Sequence, residues 1–436
     1  MTDESGPTWF EVPFGRSTAR FTLPSDASGA VAVSGHMPPL PDPLATARAA
    51  VAAPVTGRPL REIALGVRSV CIAVTDATRA CPDHILVPPM LAALEAAGVP
   101  DASITLLVAV GTHRASTPEE KIAKLGAAVV DRYRVVDHDP VDPSGLVAVA
   151  DGPEGIPFRI NRIAVEADLL LATGVVEPHQ YAGYSGGGKT VAIGCADEAI
   201  IAYTHGPAFL DLPGTRLAQL VGNPFQEAVR GVAAAAKVAF VLNAVLDDDG
   251  APVAIAAGPP EATQDHLAAL ASQLYTTTIP AQVDIAVAGV GHPKDANLYQ
   301  ASRAASYLQF APTPVVRTGG VIILPAACPE GAGQGSGEQR FLAAMRDGGG
   351  PAAIIARARR DGIRPGEQRA FVMARVLEDV TIIVAGAEHP AEIRSMGFQT
   401  ALTVEAALAD AVAMVGDRPR VLVVPHALLT LPIVAQ

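Results

Sequence analysis

Short runs of β-branched and aliphatic residues recur along the chain, separated by longer Ala- and Leu-rich stretches. The apolar runs predict strands at residues 69–75, 103–110, 133–136, 168–176, 238–245, 284–289, 320–324, 380–384 and 421–424. The stretches between them predict helices at 83–97, 117–125, 197–203, 224–236, 297–309, 338–346, 365–377 and 404–415. Strand–helix alternation of this kind belongs to α/β proteins with mostly parallel sheets. At 436 residues the chain exceeds one ordinary core, so two α/β domains are expected, with an active-site cleft between them. Gly258-Pro-Pro-Glu and Tyr275-Thr-Thr-Thr-Ile-Pro punctuate the pattern, dividing residues 1–270 from 275–436. The Pro-rich opening, up to about residue 65, is expected to wrap the first domain.

Composition narrows the class. Half the residues are hydrophobic but only 4% are aromatic, so the cores are built from Ala, Val, Leu and Ile, which suits helices laid on buried parallel strands. A net charge of −12 without a long basic run argues against nucleic acid or an anionic membrane as partner. Cys71, Cys81, Cys195 and Cys328 form no CxxC pair or zinc spacing and read as reduced thiols. The start of the chain is polar and acidic, unlike a signal peptide. The richest apolar stretch, 232–246, is broken by Lys237 and Asn243. A soluble cytoplasmic enzyme is the expectation.

Polar chemistry gathers where apolar runs end. Asp76-Ala-Thr78-Arg79 follows the first predicted strand, and Gly111-Thr-His113-Arg114 follows the second. Glu177-Pro-His179 leads into Ser185-Gly186-Gly187-Gly188-Lys189, and Gly291-His-Pro-Lys294-Asp295 follows a strand of the second half. Sites in open α/β sheets form outside the carboxyl ends of the strands. Each loop alone reads as a solvated connection, with Asp76 or Thr78 capping a helix; four such loops together read as a shared site. His205 ends a short helix, a place where a lone histidine is usually structural.

Residues 183–190 satisfy G-x-x-x-x-G-K-[ST], the phosphate-binding P-loop pattern, and so raise a nucleotide-hydrolysing alternative. Six residues intervene between Val176 and Gly183, and Gly194 breaks the segment after Thr190. Both features sit poorly with a P-loop, which needs its glycine at the strand end and a sustained helix afterwards. A glycine-rich loop can instead present N–H groups to a nucleotide phosphate and admit a bulky ring, with Lys189 as a covalent attachment point.

Together these segments resemble the nickel-dependent lactate racemase family. The resemblance is carried by Asp76-Ala-Thr-Arg79, Gly111-Thr-His-Arg114, the unbroken Glu177-Pro-His-Gln-Tyr-Ala-Gly-Tyr-Ser-Gly-Gly-Gly-Lys189, His205, Gly222-Asn-Pro224, Pro293-Lys-Asp-Ala-Asn-Leu-Tyr-Gln300 and Cys328-Pro-Glu-Gly-Ala-Gly333. It implies a racemase or epimerase of a small 2-hydroxy acid that works by reversible hydride transfer through a 2-oxo acid. The implied cofactor is a nickel-pincer nucleotide, a pyridinium-3-thioamide-5-thiocarboxylic acid mononucleotide, tethered at Lys189 and made and loaded with nickel by separate enzymes. His205 is implied as the protein ligand to nickel. His113 and His179 are implied as the acid/base pair, with Arg79 and Lys294 as substrate holders. Asp76, Thr78, Ser185, Gly186, Gly187 and Gly188 are expected to line the cofactor. His292 and the lone Trp9 depart from the family's pattern and leave the particular hydroxy acid open. A non-catalytic ligand-binding relative is a third reading, against which His113, His179, Lys189 and His205 stand together.

Overall fold

The structure, a computed structural model, describes residues 8–152, 155–364 and 366–435. It divides into two compact units. One spans His36–Leu274; the other joins the residues up to Gly35 with those from Tyr275 onward.

The His36–Leu274 unit is built on a six-stranded sheet in the order Pro252–Gly258, Val238–Leu246, Leu169–Val175, Val70–Thr75, Ile104–Ala109 and Arg134–Asp137. All pairings are parallel except that of Val238–Leu246 with Pro252–Gly258, an antiparallel hairpin at one edge. Val70–Thr75 is buried throughout, as a central strand covered on both faces should be. On one face Ile72, Leu106, Leu171 and Leu242 meet Leu86, Met90 and Leu94 from the helix Asp83–Ala96. Burying such side chains contributes about 1.5–3 kcal/mol each.

The second unit has its own six-stranded sheet, parallel at every pairing: Gln399–Ala401, Thr381–Ala385, Val316–Pro325, Val283–Ala288, Arg420–Val424 and Ser28–Val31. Thus both units are α/β with mostly parallel sheets. A short parallel pair, Thr276–Ile279 with Leu431–Val434, joins the unit's two ends. The helix Val404–Val415 covers the sheet through Val404, Ala407, Leu408 and Ala411, a spacing that places one face inward.

The opening segment departs from expectation. Trp9–Phe14 and Ser17–Thr22 form an antiparallel hairpin turned at Gly15, whose φ of +56° suits glycine. Val12 and Phe21 from that hairpin sit in the core with Ile285, Val287 and Val321. Ser28–Val31 then pairs with Arg420–Val424 and covers a sheet edge. Residues 8–35 therefore belong to the unit formed by the later half of the chain, and only the part of the opening from His36 onward falls in the earlier one. The cause is a pairing between residues nearly 400 apart (Ser28 with Arg420), which no local pattern encodes. The helix expected over 297–309 is divided at Ser302 into Leu298–Ala301 and Arg303–Gln309. Among the described residues no helix is long and apolar enough to cross a membrane. All four cysteines are buried and free.

Candidate active site

Three adjacent parallel strands of the His36–Leu274 unit end in the loops singled out above. After Val70–Thr75 comes Asp76, which is buried and gathers its neighbours. Its carboxylate lies 2.7 Å from His113 Nδ1, accepts from Thr78 Oγ1 at 2.9 Å, and stands 3.9 Å from Arg79 Nε. Burial pushes the Asp76 carboxyl up, but the bond to His113 and the nearby charges of His113 and Arg79 outweigh it and hold the group below its usual range. A carboxylate only accepts, so His113 Nδ1 carries the hydrogen, and in the neutral ring Nε2 is the acceptor. The His113 side chain is 42% exposed while its carboxylate partner is 6% exposed. The imidazole thus has an accessible face and a fixed back.

His179 is set the other way. Pro178–His179 pairs with Gly183–Tyr184 in a two-residue hairpin. The backbone N–H groups of Tyr181 and Ala182 donate to His179 Nδ1 at 3.3 and 3.2 Å. Nδ1 is therefore an acceptor, and in the neutral ring the hydrogen sits on Nε2.

Lys189 opens a single helical turn, Lys189–Ala192. Its amine is pushed down to about 7, chiefly by burial and then by the charge of Arg79, with Glu177 opposing. A neutral amine near pH 7 is a nucleophile. His205 caps the helix Glu198–Thr204. Burial, then the charges of Lys189 and Arg79, lower its imidazole to about 3, so the ring is neutral at pH 7. Its Nδ1 lies 2.9 Å from the Ile201 carbonyl, which fixes the hydrogen there and leaves Nε2 as a ligand atom. That lone pair fits a soft or borderline metal such as nickel.

The glycine loop owes its composition to packing. A Cβ on Gly186 would stand 2.5 Å from Val176 Cγ2, and one on Gly188 would stand 2.2 Å from Ala233 Cβ. Gly187, at φ +56°, meets Gln264 and Pro260. The loop also spends its donors internally: Ser185 N–H goes to the Glu177 carbonyl, Gly187 N–H to Asn243 Oδ1 at 2.8 Å, and Lys189 N–H to the Gly186 carbonyl. A P-loop needs those N–H groups for phosphates and a sustained helix behind them. Neither condition is met. Ser185 Oγ in turn donates to the Val175 carbonyl at 2.6 Å.

Several contributors escaped the sequence reading. Phe225 and Tyr181 form an aromatic group around two histidines: His205 lies 5.2 Å from Phe225 and 5.5 Å from Tyr181, ring centre to ring centre, and His179 lies 5.7 Å from Tyr181. Phe225 follows Asn223, whose side chain caps the helix Pro224–Ala235 and donates to the Tyr181 carbonyl. Asn243, a fully buried amide inside an apolar strand, was the available signal for a residue that anchors a loop. Lys294 stands exposed in the other unit, in the turn Lys294–Ala296 after the strand Val283–Ala288, beside the cis His292–Pro293 peptide.

Fixed histidines, a lysine amine lowered to about 7 and a basic cluster at the strand ends of an α/β protein together make a candidate enzyme site. The comparisons give its family. The lactate racemase N-terminal domain profile matches residues 14–217, and the lactate racemase C-terminal domain profile matches residues 276–431. A lactate racemase of Lactiplantibacillus plantarum is 34% identical over 86% of this chain and 87% of its own length. One from Thermoanaerobacterium thermosaccharolyticum is 30% identical over 95% and 97%. The solved lactate racemase apoprotein from Thermoanaerobacterium thermosaccharolyticum superposes with a TM-score of 0.86 at 27% identity, covering 98% of this chain and all of that one. A Thermotoga maritima protein shares the fold at a TM-score of 0.64 and 22% identity. The chain belongs to the lactate racemase family, and is an isomerase.

Proposed function

We propose that this chain racemises or epimerises a small 2-hydroxy acid, lactate being the first candidate, with a nickel-pincer nucleotide attached at Lys189. The observation that carries the reading is the joint state of Lys189 and His205: an amine lowered to about 7 beside a neutral imidazole whose Nε2 is left for a ligand. The amine fits covalent attachment, and the imidazole fits one metal coordination position. When bound, that group supplies a hydride acceptor, the role nicotinamide plays elsewhere.

The remaining chemistry belongs to the protein. The α-hydrogen of a hydroxy acid is too weakly acidic for simple proton abstraction, so the hydroxyl proton is the one a side chain must move. His113, backed by Asp76, is prepared to accept it at Nε2. His179, with Nδ1 held by backbone N–H groups, presents a hydrogen at Nε2 toward a substrate oxygen. Arg79 offers its guanidinium fork to the carboxylate, and Lys294 is assigned the same task. The reading places the enzyme in the cytoplasm, served by enzymes that assemble the cofactor and insert nickel.

The test is intact-protein mass spectrometry with nickel analysis on chain co-produced with the cofactor-assembling enzymes, beside Lys189→Ala. A nucleotide-sized adduct with about one nickel per chain, absent from the variant, is expected. An unmodified, metal-free chain with no racemase activity would overturn the assignment.

A further inference from the structure

The His36–Leu274 unit buries an ion pair that the chemistry above does not use. Asp83, the first residue of the helix Asp83–Ala96, is fully buried. Its carboxylate accepts from Thr75 Oγ1 at 2.6 Å and from Thr173 Oγ1, and lies 3.0 Å from Lys124 Nζ. Lys124 ends the helix Pro118–Leu125, its side chain only 14% exposed. Its ammonium also donates to the backbone carbonyls of Arg79 at 3.0 Å and Cys81 at 2.7 Å. An ammonium has three hydrogens, and these three acceptors use them all.

The partners explain the arrangement. Thr75 is the last residue before Asp76, and Arg79 and Cys81 lie on the loop that Asp76 begins. Thr173 belongs to the strand that leads to the Lys189 loop, and its carbonyl accepts from Thr190 Oγ1 at 2.7 Å. One buried carboxylate thus joins the ends of two neighbouring strands, while its lysine pins the backbone of the loop between strand and helix. A buried ion pair is a poor device for stability alone, because desolvation offsets most of the attraction. Charge-assisted bonds to two loop carbonyls are a good device for fixing a backbone.

We propose that Asp83 and Lys124 are positioning residues that hold the 76–81 loop so that Arg79 meets the substrate carboxylate. This inference rests on the proposed function for the role of Arg79. It predicts damage to substrate binding that exceeds damage to turnover or to cofactor loading.

The experiment uses the cofactor-loaded enzyme with Lys124→Met, which keeps the side chain's length and removes its charge, and Thr75→Val, which removes one hydroxyl at constant shape. Expected for Lys124→Met is a KM rise of about tenfold or more with kcat within about threefold, and an undiminished adduct at Lys189. Thr75→Val should show the same split more weakly. Loss of thermal stability with KM unchanged would overturn the proposal, as would an equal fall in kcat at constant KM. A second readout needs no cofactor: in the apoprotein, the Arg79 Nε–H and His113 Nδ1–H NMR signals should shift in Lys124→Met. Unshifted signals in a folded variant would count against the loop clamp. If the loaded wild type turns over no hydroxy acid, the functional reading fails, and the NMR comparison still tests the clamp. If Lys124→Met does not fold, Thr75→Val carries the test.

Discussion

The two units are built alike and charged differently. Each centres on a six-stranded sheet dominated by parallel pairings, with polar loops following the strands. In the His36–Leu274 unit, Arg79, Lys189 and His205 press on one another, and two are driven toward neutrality. In the other unit Asp284 is met by partners: it accepts from Arg317 Nε at 2.6 Å and from Arg420 N–H at 2.8 Å. Burial pushes the Asp284 carboxyl up, yet those bonds keep it below its usual range. A protein neutralises charge wherever stability is the aim. The basic cluster at the strand ends, offset only in part by Asp76 and Glu177, fits the proposed attachment of an anionic group at Lys189.

Four experiments would break or sharpen this contrast. The largest effect belongs to Lys189→Ala, which should remove the covalent adduct and return the reaction to its background rate, at least about 10⁶-fold lower; a mass spectrum and a racemisation assay decide it. Next comes the base. His113→Ala should lower kcat by about 10²–10⁴-fold, and Asp76→Asn, which keeps an acceptor oxygen but removes the carboxylate charge behind His113, by about 10–100-fold. Equal activity in either variant would remove His113 from proton transfer.

The third effect concerns stability. An amine lowered from 10.5 to about 7 is unprotonated in the folded chain over a pH range where the unfolded chain still holds the proton. Stability of the apoprotein should therefore rise as pH goes from 7 toward 10.5. Lys189→Met should abolish this slope and stabilise the chain at pH 7 by an amount on the order of a few kcal/mol. His205 acts with the same sign at lower pH: stability falls as pH drops below 6.5 toward about 3. Urea titrations of both proteins across pH check the difference, and parallel curves would refute it. The smallest effect is expected in the other unit, where Asp284→Asn should cost about 1 kcal/mol in urea unfolding and leave catalysis untouched.

The His36–Leu274 site was legible in part. Asp76, Arg79, His113, His179 and Lys189 stand out as polar residues that follow apolar runs, and strand periodicity put their loops on one edge; His205, at the end of a short helix, was singled out only by the resemblance. Asp83 and Lys124 did not stand out, because an acid at a helix start and a lysine at a helix end are ordinary helix chemistry. Phe225 read as one more apolar residue. The glycines of the Lys189 loop read as openings for a ligand; that Val176, Ala233, Gln264 and Pro260 stand where a Cβ would go was not legible.

The sequence by itself determined the alternation of strand and helix, the two α/β units and the family, since each rests on local periodicity or on contiguous motifs. Only the tertiary structure decided that the chain's opening belongs to the later unit, because a parallel edge pairing between Ser28 and Arg420 has no local signature. It alone decided which ring nitrogens of the histidines are engaged and how the lysine amine is buried. A His–carboxylate bond, two backbone N–H groups on one imidazole, and the burial of an amine among cations arise from residues that are distant in sequence and meet only in the folded chain.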